Sequence, residues 1–355
     1  MNDVSEKYAR YLPIIVGVVA AFAIGLWVGT SKKPSLKMRE PGQDRPPGAV
    51  NNATAANPLQ SVQLVKGEGV PSKYEGEWLM FRGAGRDNTV RPGKKLAASF
   101  AEGKPKKLWE IEVGEGYAGP AVKNGRVYLM DYDRENKKDA LRCLSLDDGK
   151  EIWRVTYPIL IKRNHGITRT VPAVNEKYVI AMGPKCHVIC VDAQGGEFKW
   201  GIDLPKEYGT TIPQWYAGQC PLIETNRLIL APGGKDALLM AVDCDSGKVI
   251  WKTPNPNDWK MTHSSVVPMV FKGKRMYIYC ASGGVVGVSA DDGSILWEFP
   301  EWKISIATVP SPLTVGEDKI FFTGGYGAGS IMVQLKEENG KITIQKLFKL
   351  TPNIF

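Results

Sequence analysis

An all-β propeller of four-stranded antiparallel blades, preceded by one apolar membrane helix, is the fold this sequence predicts. Three observations predict it: a repeat recurring every 46 to 51 residues, a glycine fixed four positions before a tryptophan in each copy, and one uncharged run of 21 residues near the N-terminus. The 38 glycines and 24 prolines suit a chain of short strands joined by tight turns.

After a flank of residues 1–10, the uncharged run covers residues 11–31, between Arg10 and Lys32. A helix of that length spans roughly 30 Å, the thickness of a bilayer core. Pro13 sits near its start and Trp27 near its far end, as an interfacial anchor. The end of the run offers a poor small-x-small cleavage site, so an uncleaved signal anchor is expected over a cleaved signal peptide. Lys7 and Arg10 precede the helix, whereas Lys32, Lys33, Lys37 and Arg39 follow it, a count that places the following chain in the cytoplasm. Residues 32–73 carry six prolines and no aromatic side chain, the composition of a disordered, Pro-rich tether. Residues 74–108 lead into the propeller.

The repeat occupies residues 109–355. LRCLSLDDGKEIW, ICVDAQGGEFKW, MAVDCDSGKVIW and VGVSADDGSILW end at Trp153, Trp200, Trp251 and Trp297, with Gly149, Gly196, Gly247 and Gly293 four residues earlier. A fifth copy ends near Ile344, four after Gly340, and has lost its tryptophan. Trp109 looks like the last strand of a preceding unit. In each copy a strand ends, a polar turn follows whose glycine takes positive φ, and the next strand carries a tryptophan to be buried between units. Four strands per period is propeller-blade arithmetic; in the first they are GYAGPAV, RVYLMD, LRCLSL and EIWRVTY.

The Ala/Cys-x-Asp-x-x-x-Gly-x-x-x-Trp core resembles the tryptophan-docking motif of the pyrroloquinoline-quinone (PQQ)-like propellers of exported bacterial proteins. WLMFRGAGRDN, GYAGPAV and PGGKDALLMAVD are similar to further segments of that family, over residues 75–355. The resemblance implies eight blades, of which five are present, so the sequence reads as C-terminally truncated. The competing arrangement is a six-bladed ring in which SVQLVKG, EWLMFRG and LAASF complete the blade of Trp109. Against the local charge count, the resemblance also implies an inner-membrane anchor with the propeller in the periplasm.

Function is less legible. The net charge is +9, but the basic residues are scattered, which excludes the aromatic-interleaved stripe of a nucleic-acid binder. The six cysteines form no CxxC or adjacent pair, and buried free thiols are expected. Inner strands open at Pro120, Pro172, Pro221, Pro268 and Pro312. Before them lie Tyr117, His165, Arg169, Trp215, Tyr216 and His263, with Lys235, Asp236 and Tyr326 in later glycine-rich turns; all nine are candidate ligand-binding residues of the central funnel. The competing role for them is to plug the funnel and hydrogen-bond one another.

No catalytic or metal residue is assigned: Asp147, Asp148, Asp291 and Asp292 fall in turns, and no Ser-His-Asp order, HExxH helix or P-loop occurs. The resemblance implies two functions. One is a non-catalytic scaffold for a protein or small-molecule partner, similar to the outer-membrane assembly-factor propellers, although the first cysteine, Cys143, is far from any lipobox position. The other is a quinone-dependent alcohol or sugar dehydrogenase, degenerate where active-site blades are lost, with PQQ and Ca²⁺ as cofactors.

Overall fold

The computed structural model describes residues 3–30, 57–74, 76–90, 97–100, 103–163 and 165–351. The chain divides into two units, Met1–Ala49 and Val50–Phe355. In the first, Asp3–Thr30 is one helix, and its Tyr11–Thr30 stretch, with mean hydropathy 2.4, is long and apolar enough to cross a membrane. Most of the expected tether, including Pro34, Pro41, Pro46 and Pro47, lies outside the described residues.

The second unit is built from five antiparallel sheets whose four core strands follow one another in the chain. These are propeller blades. Blade one comprises Ala121–Lys123, Arg126–Asp133, Lys138–Ser145 and Glu151–Pro158. Blade two comprises Ala173–Val174, Tyr178–Met182, His187–Asp192 and Phe198–Asp203. Blade three comprises Leu222–Glu224, Arg227–Leu230, Met240–Asp243 and Val249–Lys252. Blade four comprises Val267–Phe271, Lys274–Ala281, Gly284–Ser289 and Ile295–Phe299. Blade five comprises Leu313–Val315, Lys319–Gly324, Gly329–Glu338 and Lys341–Leu350. Strict up-and-down order puts the approach to each first strand and the second hairpin turn at one end, here the upper face. The first and third hairpin turns lie at the lower face.

Facing sheets share their cores: Tyr128, Met130 and Trp153 of blade one pack with Val179 and Ala181 of blade two, and Met276 and Trp297 of blade four with Ile320 and Phe322 of blade five. The tryptophan rings seal these faces by a common device. In blades one to four the pairing of third and fourth strands slips by one residue just before the tryptophan, between Cys143/Leu144, Cys190/Val191, Ala241/Val242 and Gly287/Val288. Such a bulge re-aims the next side chain. Trp153 then lies over Gly196 of blade two, where a Cβ would come within 2.7 Å of the ring, and its indole N–H donates to the Gln194 carbonyl at 3.0 Å. Trp200 docks likewise on Gly247 and Trp251 on Gly293, each donating to a carbonyl of that turn.

The series breaks at blade five. Its bulge falls between Met332/Val333, which makes Phe348 the counterpart of the tryptophans, four residues beyond Ile344. The hairpin continues past that point to a two-residue turn at Asn339 and Gly340, both at positive φ. Gly340 is thereby carried away from blade four, and a Cβ at that position would meet nothing within 4 Å. Trp297 docks instead on Gly287 and the Met276 sulfur of its own blade.

The N-terminal part of this unit corrects three expectations. Residues 57–73 are not wholly a tether: Pro58–Ser61 form a 3₁₀ turn that buries Leu59, and Gln63–Lys66 add a fifth strand to the outer edge of blade one. SVQLVKG, EWLMFRG and the described part of LAASF therefore do not build a blade around Trp109. Trp109 itself lies in no strand. It nonetheless docks on Gly149, with its indole N–H donating to the Leu146 carbonyl at 3.0 Å. The lead-in segment runs along the inner strands of three blades. Trp78 exchanges backbone hydrogen bonds with Val122, the Leu79 carbonyl accepts from Val174, and Arg86 donates to the Pro221 carbonyl at 2.6 Å.

All six cysteines are buried and unbridged. Burial raises every thiol above its ordinary range, Cys244 and Cys280 to about 12, so they behave as small core side chains.

Candidate functional site

On the upper face the segments approaching the inner strands lie side by side, and cross-blade bonds hold them there. The Tyr117 amide donates to the Thr168 carbonyl at 2.8 Å, and the Tyr117 ring covers Gly166. Arg169 Nη2 donates to the Tyr216 carbonyl at 3.1 Å, and Tyr216 Oη donates back to the Lys162 carbonyl at 2.5 Å. Tyr216 adopts φ 68, a left-handed conformation that a bulky residue rarely takes unless its surroundings impose it. Those two bonds and its burial impose it here.

Trp215 stands between two histidines, with ring centroids 6.4 Å from His165 and 5.9 Å from His263. His263 packs against Gly218, where a Cβ would sit 3.0 Å from the imidazole, and its amide donates to Thr308 on the approach to blade five. Burial, then the charge of Arg169, lower the His263 pKa to about 4, although a backbone bond at Tyr216 works the other way. The imidazole is therefore neutral at physiological pH. Burial also lowers the Arg169 pKa. Its Nε and His263 Nε2 are both buried without a protein partner. The cluster is thus an aromatic platform carrying the Arg169 cation and underused polar nitrogens.

Six of the nine predicted residues meet in this cluster: Tyr117, His165, Arg169, Trp215, Tyr216 and His263. Lys235 and Asp236 lie exposed on the second hairpin of blade three, beside the Gly234/Ala237 bridge, and make none of these contacts. Tyr326 is 73% exposed on the corresponding hairpin of blade five. Around the cluster the same face exposes Tyr117, Leu160, Ile306 and Val309, each more than half accessible.

A buried network escaped the sequence reading. Asp139 is fully buried between blades one and two, where it accepts from Tyr157 Oη at 2.7 Å and Thr168 Oγ1 at 3.2 Å. Burial raises its pKa to about 7; the two hydrogen bonds oppose that, and the charge of Asp131 adds to it. Gly183 leaves room for the pair, since a Cβ there would collide with both side chains. The one available signal was a carboxylate two residues before Leu141 and four before Cys143, on the same buried face of its strand.

A family model described as outer membrane protein assembly factor BamB matches residues 137–349. The quinoprotein alcohol dehydrogenase PedH of Pseudomonas putida is 23% identical over 178 residues, covering 47% of this chain and 28% of that protein. Among solved structures, BamB from Moraxella catarrhalis superposes with a TM-score of 0.47 at 14% identity, covering 69% of this chain and 64% of that one. A europium-containing methanol dehydrogenase gives 0.44 at 13% identity, covering 78% and 59%. The chain thus spans less than two thirds of the length of each of these proteins.

Proposed function

The chain belongs to the PQQ-like repeat family described by the assembly factor BamB, and on that premise we propose that it is a membrane-anchored, non-catalytic scaffold of the bacterial cell envelope. Its apolar N-terminal helix holds it in the inner membrane, and the propeller works in the periplasm. It binds a protein or small-molecule partner through the upper face. The observation that carries this reading is the convergence of Arg169, Trp215 and His263 with the exposed Tyr117, Leu160, Ile306 and Val309 on one rim. Aromatic and arginine side chains ringed by exposed apolar groups are the usual composition of a recognition surface.

The second reading, a PQQ-dependent oxidoreductase, is favoured by the resemblance to PedH. A Ca²⁺ ion needs several converging oxygen ligands, and among the described residues no group of three His, Cys, Asp or Glu side chains comes together to hold a metal. Partly buried Leu79 and buried Met80 and Arg86 moreover lie along the inner edges of blades two and three.

The test is a titration of the detergent-solubilised full chain with PQQ and Ca²⁺, followed by quinone absorbance and dye-linked alcohol oxidation. No stoichiometric uptake and no turnover are expected. Tight one-to-one uptake with turnover overturns the scaffold reading.

A further inference from the structure

We propose that the outer wall of the junction between blades two and three captures a short extended segment of a partner protein, apolar in its middle and acidic two residues later, as an added edge strand. The molecule performs the same addition on itself one blade earlier. Gln63–Lys66 pair antiparallel with the outer strand of blade one, Val65 opposite Arg154, and the Gly67 amide donates to the Ile152 carbonyl at 2.9 Å. Leu64 packs into the junction with blade two, its Cδ1 lying 3.0 Å from where a Cβ of Gly196 would stand, in the same apolar cluster as the docked Trp153. Lys66 closes the far end: its ammonium donates to the Gly195 carbonyl and, at 2.6 Å, to Glu197 Oε1 of the same turn. With this strand in place, Trp153 and Gly196 are buried.

The next junction repeats the architecture without the strand. Trp200 takes the place of Trp153 and Gly247 that of Gly196, yet both are only partly buried. Phe198–Asp203 is the edge strand of its sheet, and among the described residues no strand pairs with its outer side. The positions equivalent to Ile152 and Arg154 are Lys199 and Gly201. The Leu204 amide bonds to the Cys186 carbonyl beside the third strand, so the alternation of the ladder turns the backbone groups of Lys199 and Gly201 outward. An unpaired edge of this kind is a template for an incoming strand. Two residues past Gly201 the edge is capped, because the Asp203 amide donates to Glu207 Oε1 at 2.8 Å. The site therefore admits a segment as short as Gln63–Lys66.

Charge selects the occupant. The turn that receives Lys66 offers Glu197, whereas the same position of the blade-three turn is Lys248, which is exposed. Lys199, also exposed, stands where blade one has Ile152. The Gln63–Lys66 strand of a second copy would bring Lys66 against Lys248, a like-charge contact that disfavours it. An Asp or Glu in place of Lys66 forms an ion pair there instead. The occupant is thus an extended segment with an apolar residue at the Leu64 position and a carboxylate two residues later.

The experiment titrates the full chain in detergent with fluorescein-labelled peptides of residues 61–67 and follows their anisotropy. The peptide carrying Lys66→Glu is expected to bind saturably and about fivefold more tightly than the unaltered one, the effect of exchanging a like-charge contact for an exposed ion pair. Adding Leu64→Asp to that peptide is expected to abolish binding. In the protein, Lys248→Glu, a change at an exposed turn position, is expected to reverse the preference between the first two peptides. Absence of saturable binding overturns the proposal, as does a preference that survives Lys248→Glu. Equal or tighter binding of the unaltered peptide assigns the edge to a second copy of this chain and overturns it too.

Discussion

Trp153→Ala is expected to destabilise the propeller by about 3–5 kcal/mol, the range for truncating a large buried aromatic. The ring is fully buried between blades one and two, and its loss also strips the Gln194 carbonyl of its indole donor. Denaturant unfolding of the full chain measures this as a fall in midpoint with little change in slope. Two glycine substitutions isolate the docking contact. Gly196 and Gly340 both hold positive φ, at +78 and +76, so replacing either with alanine strains the backbone similarly, by roughly 1 kcal/mol. Gly196→Ala additionally drives a methyl into the Trp153 ring, whereas Gly340→Ala meets nothing within 4 Å. Overpacking of that kind costs about 1–3 kcal/mol more. Equal losses in the two variants would show that the glycine serves only the turn.

The second large effect is on pH dependence. Asp139 has its pKa raised to about 7 in the folded protein, against an ordinary carboxylate in the unfolded chain. The folded state therefore binds more protons between about pH 4 and 7. The stabilisation is complete below the unfolded value and is lost as pH rises through about 7, at most on the order of 4 kcal/mol. His263 has the opposite sign: its lowered pKa makes stability fall as pH drops from the ordinary histidine range toward about 4. Asp139→Asn removes the first contribution and leaves the second. Its stability is expected to exceed wild type above pH 7 and to show no decline from pH 4 to 7 attributable to this site. Identical pH profiles for the two proteins would rule out a buried, proton-holding Asp139.

The contrast between what was readable in the chain and what was not has a physical basis. Each copy carries its bulge, polar turn, glycine and tryptophan within about a dozen residues, and because every tryptophan docks on the turn glycine of the following copy, the docking of Trp153, Trp200 and Trp251 survives as a repeated local pattern. The same pattern misplaced the fifth copy. Asn339-Gly340 is a two-residue hairpin signal, and reading it as such would have moved the aromatic position from Ile344 to Phe348. Asp139, Tyr157, Thr168 and Gly183 come from two blades and share no spacing, so only folding brings them together. The fifth strand at Gln63–Lys66 is short, and its partner, the outer edge of blade one, lies about ninety residues further along. Six candidate funnel residues converge because each precedes an inner strand, whereas Lys235, Asp236 and Tyr326 sit on the second hairpin and stay apart.

Photo-crosslinking in the living cell tests the proposed scaffold most directly. A photoreactive amino acid placed at Tyr117, Leu160 or Ile306 on the upper face is compared with one at Phe198, Val249 or Val270, apolar positions exposed elsewhere on the blades. Discrete adducts with an envelope protein are expected from the first set, to be abolished by the double substitution Arg169→Ala and Trp215→Ala. Adducts from the second set alone, or from both sets unchanged by that substitution, would contradict a docking surface built on the Arg169–Trp215–His263 cluster.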